Sequence, residues 1–341
     1  MNKIPLAGSF ELTPRCTLNC KMCYIHRKSS DKSVMAEEKD TEFWIDLATK
    51  ARDSGMLILL LTGGEPLLRS DFDEIYTECK KLGLLISVNT NATLLDEDKI
   101  RLFTEYPPQK INITLYGASP ETYGKLCGNA SAYQKVTDSI RKLKEAGINF
   151  KLNYSITPDN VDGIPAVTAF AKELDVPIKA ASYMFSPVRT CGDTFRLSPE
   201  DAAKAKLEWH RNMFGDEELI KLLKSDKNPE PNDISCSQRI NCRAGLSTFW
   251  VTWKGEMTPC GMMNGPNIPI TDFGDAWKKI REERDKILLP KECSTCSLRK
   301  KCDMCAAVSI AETGKSDKIP PYACKKAHKY AELCKDFISR Q

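Results

Sequence analysis

The first 180 residues alternate short apolar runs with helix-like stretches, and this limits the possible folds more than any other feature. Strands are predicted at Ser9–Thr13, Leu57–Leu61, Leu84–Asn89, Ile111–Leu115, Phe150–Ile156 and Ile178–Tyr183. Helical patterns lie between them at about 40–54, 71–82, 96–104, 132–146 and 160–174. "KEAGI" (144–148) carries the glycine that ends a helix before a strand. Strand–helix alternation on this spacing builds a parallel sheet with helices outside it. Six strands with five intervening helices predict an α/β fold, an open or partial (β/α)6 barrel. Its ligands would sit at the carboxyl ends of the strands.

Residues 199–225 read as one or two helices, with Ser198 as N-cap and Pro199 in the first turn. The polar, proline-bearing "KSDKNPEPND" (224–233) reads as a linker. Beyond it helical periodicity fades and Cys, Gly and Pro dominate, before a closing C-terminal helix. This divides the chain into a barrel at 1–198, a helical bridge and linker at 199–235, and a Cys-rich region at 236–341. So small a hydrophobic core calls for metal staples. The charge balance, 50 basic against 46 acidic residues, gives no case for a nucleic-acid or membrane partner. The longest apolar run, "MLILLL" (56–61), is too short to cross a bilayer. With no secretory signal at the first residues, a cytoplasmic location is expected.

Fifteen cysteines are then the anomaly. In a reducing compartment clustered Cys points to metal binding or catalysis rather than disulfides. Cys16, Cys20 and Cys23 follow the first strand directly. Thiolates ligate iron–sulfur clusters, and a [4Fe–4S] cube takes four. Three ligands leave one iron open, as a catalytic metal needs. A zinc site or three unrelated thiols is the plainer alternative, with His26 the only nearby fourth ligand. In "LTGGEPLL" (61–68), after the second strand, Gly63 and Gly64 permit close backbone approach and Glu65 offers an acceptor to an ammonium group.

Cys-x3-Cys-x2-Cys with Met22 before the last Cys, followed by GGEP one strand later, resembles the signature of the radical S-adenosylmethionine (SAM) superfamily. "SVNTNATLL" (87–95) resembles that family's TNGTLL segment, with Ala92 where Gly is usual. "INITLYGASPETYGKLCG" (111–128) resembles a further SAM-binding segment, but Tyr116 and Cys127 stand where Asp and Arg are common. The resemblance implies that the open iron binds SAM and that the reduced cluster cleaves it to a 5′-deoxyadenosyl radical, which abstracts hydrogen. It also implies cofactor contacts from Met22, Gly63, Gly64, Glu65, Asn89 and Thr114, and a reductant such as flavodoxin or ferredoxin.

The eight cysteines from 236 to 324 could fill two [4Fe–4S] clusters or hold two zinc ions. "GEMTPCGM" (255–262) and the run from Cys293 to Cys324 resemble the SPASM extension of radical SAM maturases, apart from Cys302-x2-Cys305 where x3 is usual. By that pattern Cys236, Cys242, Cys260 and Cys305 hold one auxiliary [4Fe–4S] cluster. Cys293, Cys296, Cys302 and Cys324 hold the other. SPASM-bearing enzymes mostly modify peptides or proteins. The resemblance therefore implies an oxidoreductase of ribosomal-peptide maturation. It would form a thioether or C–C crosslink, with an auxiliary cluster accepting the second electron.

A peptide epimerase with a thiol hydrogen donor, and an anaerobic sulfatase maturase making formylglycine, are the rival readings. A colourless zinc-binding interaction protein is a third. Cys127 and Cys191, expected on loops at the active-site face, are the candidate hydrogen donors or acid/base groups. Arg189 is a candidate for a substrate carboxylate or phosphate. Cys79 and Cys334 read as inert. The cysteine loop begins at Cys16, which leaves no room for a leader-binding domain ahead of it. A separate leader-peptide-binding protein, another surface, or a leaderless substrate would answer that.

Overall fold

The computed structural model describes residues 4–25, 27–190, 192–225, 238–240, 242–299 and 301–340. His26, Cys191, Cys236 and most of the 224–233 linker lie outside the described residues.

The six expected strands all form: β1 Ala7–Thr13, β2 Ile58–Gly63, β3 Leu85–Thr90, β4 Lys110–Thr114, β5 Phe150–Ser155 and β6 Ile178–Ala181. They pair in sequence order, all parallel. Between them run α1 Thr41–Asp53, α2 Phe72–Lys81, α3 Glu97–Glu105, α4 Pro120–Cys127, α5 Ala132–Glu145 and α6 Ile164–Glu173. Asp40 and Asp96 cap α1 and α3 by accepting from Phe43 N and Lys99 N, each at 2.9 Å. Gly147 ends α5 at φ +68°, a conformation only glycine adopts without strain. α4 was not expected. Ser119 at its start, Pro120 in its first turn and Gly128 (φ +71°) at its end mark it in retrospect.

The strands sort their residues by period two. On β5, Phe150, Leu152 and Tyr154 are buried toward the helices, while Lys151, Asn153 and Ser155 are only half-buried. The carboxyl ends of the strands thus present polar residues to an open interior.

The bridge helices α7 Pro199–Phe214 and α8 Asp216–Ser225 form as expected, with Ser198 Oγ accepting from Asp201 N. The C-terminal region holds more regular structure than its composition suggested. β7 Thr248–Val251 pairs parallel with the outer edge of β1, and β8 Glu256–Thr258 and β9 Ile268–Pro269 follow antiparallel. One nine-stranded sheet results. α9 Phe273–Asp285 covers the new strands, and Phe249 packs between Phe10 of β1 (6.4 Å, tilted) and Phe273 (5.4 Å, edge-on). Burying each such ring contributes about 1.5–3 kcal/mol.

At the other edge, α11 Pro321–Ser339 packs on α7, and α10 Ala306–Thr313 packs on α11. Tyr183, after β6, donates to Glu312 at 2.9 Å, and His210 Nδ1 meets Tyr330 Oη at 2.7 Å. The C-terminal region therefore extends the sheet beyond β1 and packs against the segment after β6 and against α7. Among the described residues no helix is long and apolar enough to cross a membrane.

Candidate active site

Three strand ends converge on the cysteine loop. Thr13 O accepts from Gly64 N at 2.7 Å, and Arg15 O accepts from Glu65 N at 2.8 Å. A Cβ on Gly63 would lie 2.2 Å from Thr13 O, and one on Gly64 2.4 Å from Arg15 O. The two glycines are thus needed first for the close crossing of two backbones. On the far side, Cys127 O and Leu126 O accept from Asn19 N and Lys21 N at 3.0 Å each. Asn91 Nδ2 donates to Thr17 Oγ1 at 3.0 Å and to Cys16 Sγ at 3.3 Å.

Glu65 anchors this assembly from behind. It is fully buried and does not line the cavity. Its carboxylate accepts from Asn91 N (2.7 Å), Thr90 Oγ1 (2.8 Å) and Leu67 N (3.1 Å). Burial pushes its pKa up to about 7, and these donors pull against that. The sequence reads Glu65 as an acceptor for a ligand ammonium. Its oxygens are already taken, so its role here is to hold the Cys16 loop to β3.

Cys16, Cys20 and Cys23 line a single cavity at the carboxyl ends of the strands, with about 1230 Å³ of empty space including its mouth. Met22, Gly63, Gly64, Asn89 and Thr114 line it as expected. So does Tyr183, at the start of the segment after the sixth strand, and so do Thr62, Asn153, Ser155 and Met262, which sequence reasoning missed. The signal for Asn153 and Ser155 was their period-two placement at the end of a strand. Asn89 bridges the strands, donating to Thr62 Oγ1 at 3.2 Å and accepting from Asn112 Nδ2 at 2.8 Å. Burial lifts the Cys16 thiol to about 12, with Glu65 adding to it. Such thiols need a bound cationic group to ionise. Three thiols facing one cavity suit a cluster that takes three protein ligands.

Two expectations fail on geometry. Cys127 is the last residue of α4, buried behind the loop with its thiol against Cys20, and does not line the cavity. Helix formation by "PETYGKLC" turned it inward, away from the cavity wall. Arg189 is not free for a substrate anion. Its guanidinium donates to Glu11 at 2.7 Å and to Gly261 O at 2.9 Å.

The C-terminal thiols form two groups. Cys293, Cys296, Cys302 and Cys324 line one small cavity of about 350 Å³, its walls otherwise mostly apolar. Burial lifts the Cys293 thiol to about 11, with Cys302, Cys296 and Cys324 adding to it. Cys260 and Cys305 form the second group with Cys242, each raised by burial and by its neighbours. Crowded, mutually repelling thiols of this kind fit a cationic cluster between them.

Residues 10–171 match the family model of the radical SAM superfamily. These residues form a radical SAM domain. It is 26% identical to the AdoMet-dependent heme synthase of Methanosarcina barkeri, over 94% of this chain and 97% of that one. The solved structure of native anSMEcpe with bound AdoMet matches at a TM-score of 0.74 with 18% identity, over 98% of each chain. Streptococcus suis SuiB bound to precursor peptide SuiA matches at a TM-score of 0.72 with 19% identity, over 94% of this chain and 76% of that one. At that identity the two structures establish the fold, a radical SAM barrel with a C-terminal extension.

Proposed function

We propose that this radical SAM enzyme oxidises an unactivated carbon of a peptide or protein side chain. Cys16, Cys20 and Cys23 hold the SAM-binding [4Fe–4S] cluster. Asn89, Thr114 and the Gly63–Gly64 backbone hold SAM. Cys242, Cys260 and Cys305 hold one auxiliary cluster, with Cys236, outside the described residues, as its fourth ligand. Cys293, Cys296, Cys302 and Cys324 hold the other. When bound, these groups supply a hydrogen-abstracting radical and an acceptor for the second electron. The chain's own residues shape the cavity, exclude water and fix the reacting carbon.

One observation carries the choice of substrate. Among the described residues no charged side chain lines the cavity. Tyr116, Tyr183, Met184, Phe185 and Met262 supply apolar and aromatic wall instead. A neutral side chain on an extended peptide suits that wall; a substrate rich in carboxylates would want Arg or Lys there. The solved SuiB structure with its precursor peptide supports the same substrate class.

A tetrapyrrole is the second reading, favoured by the heme synthase likeness along almost the whole chain. Anaerobic reactions with SAM and a strong reductant separate the two. Candidate peptides encoded beside the gene should lose two hydrogens as 5′-deoxyadenosine accumulates. Turnover of an iron porphyrin, with no peptide changed in mass, would reverse the order of the readings.

A further inference from the structure

A buried ion pair joins the two metal-binding regions. Glu11, on β1, is fully buried, and its Oε2 accepts from Arg189 Nη2 and Trp250 Nε1, both at 2.7 Å. Arg189 Nη1 donates to Gly261 O at 2.9 Å, one residue from Cys260. The same segment is tied to the cysteine loop, since Val188 N and Arg189 N both donate to Tyr24 O, at 2.9 and 3.2 Å. Tyr24 adjoins Cys23, and its ring centre lies 5.9 Å from the guanidinium carbon. Met262, two residues beyond Cys260, lines the main cavity.

These contacts exceed what packing requires. A buried ion pair adds little net stability over a hydrophobic substitute. This one leaves Glu11 Oε1 and Arg189 Nε buried without partners. It does place a guanidinium against the backbone at Gly261, next to Cys260.

We propose that Arg189, clamped by Glu11, is a positioning residue that makes the cluster held through Cys260 easier to reduce. The inference rests on the reading that the C-terminal thiols hold iron–sulfur clusters. An added electron on a cluster is stabilised by a nearby positive charge and destabilised by a nearby negative one. Arg189 and Glu11 therefore act with opposite signs. Arg189 raises the potential, while Glu11 holds the guanidinium in place and partly offsets it. The Cys293 group lies in its own cavity, and neither residue lines it.

The test is a reductive titration of the reconstituted full-length protein followed by electron paramagnetic resonance, with iron counted in every sample. Arg189→Met should lower the midpoint of one auxiliary cluster by about 59 mV, a tenfold shift in its reduced-to-oxidised ratio. Glu11→Gln should raise the same midpoint, and Arg189→Lys should leave it near wild type. The other auxiliary cluster should not move in any variant. A structural role would shift both variants the same way, through loosened packing. Unmoved midpoints, or shifts of one sign, at full iron content would overturn the proposal and leave the auxiliary-cluster reading intact. Wild-type protein with only about four irons would overturn that reading and the proposal with it.

Discussion

The loop at Cys16–Cys23 and the stretch at 287–305 both present thiols, but on opposite terms. The loop is pinned by backbone bonds from Gly64, Glu65 and α4 and by Asn91, and it sits on a core running through the whole barrel. The 287–305 stretch carries one four-residue helix, Lys291–Ser294, and a small core of Ile240, Leu289, Met304 and Ala306 against which Cys293 and Cys302 pack. The barrel can shape its thiol site before metal arrives. On the proposed reading, a cluster in the C-terminal stretch would be part of the fold, a staple where the barrel's cluster is a guest.

The largest effect should come from withholding iron. Protease should then cut within 287–305 at least a thousandfold faster, about 4.1 kcal/mol of local stability, while 7–181 stays resistant. Equal protection with and without iron would erase the contrast.

Next in size is Glu65→Ala. It strands three buried donors, on Leu67, Thr90 and Asn91, and should cost about 3 kcal/mol or more by urea denaturation. The Cys16 loop should lose its iron while the C-terminal thiols keep theirs. A loss below about 1 kcal/mol would mean that the loop is not preformed.

The smallest concerns the seam between α7 and α11. Burial lowers the His210 pKa from 6.5 to about 4. The unfolded chain therefore binds this proton first, and the seam should lose stability as pH falls from 6.5 toward 4. Allowing for partial exposure, His210 should account for about 1–2 kcal/mol of that loss. His210→Gln, which can still bond Tyr330, should flatten the stability profile over that window. An unchanged profile would assign the pH dependence elsewhere.

The same contrast governs what the sequence made legible. The barrel strands could be read within a residue or two, because each is a local apolar run between helix signals. β7 could not, since "TFWV" becomes a strand by pairing with β1, far away in sequence. α11 repeats buried Tyr322, Lys326, Tyr330 and Cys334 at helical spacing, so a C-terminal helix was expected. The clustering of thiols in both regions could be read from their spacing, while their division into ligand sets came only with the family resemblance. The roles of Glu65, Cys127 and Arg189 could not, because each depends on partners from another element: Asn91, Cys20 and Glu11. Ala92 lies between these cases. It sits at φ +63°, where glycine would be unstrained, so the TNGTLL-like segment keeps its turn despite the substitution.

The most direct test of the account is iron and sulfide counting on anaerobically purified protein, beside a Cys16/Cys20/Cys23→Ala variant. The account predicts about twelve irons in the wild type and about eight in the variant. A variant with no iron would contradict it. The C-terminal thiols would then hold another metal or none, and no acceptor would remain there for the second electron.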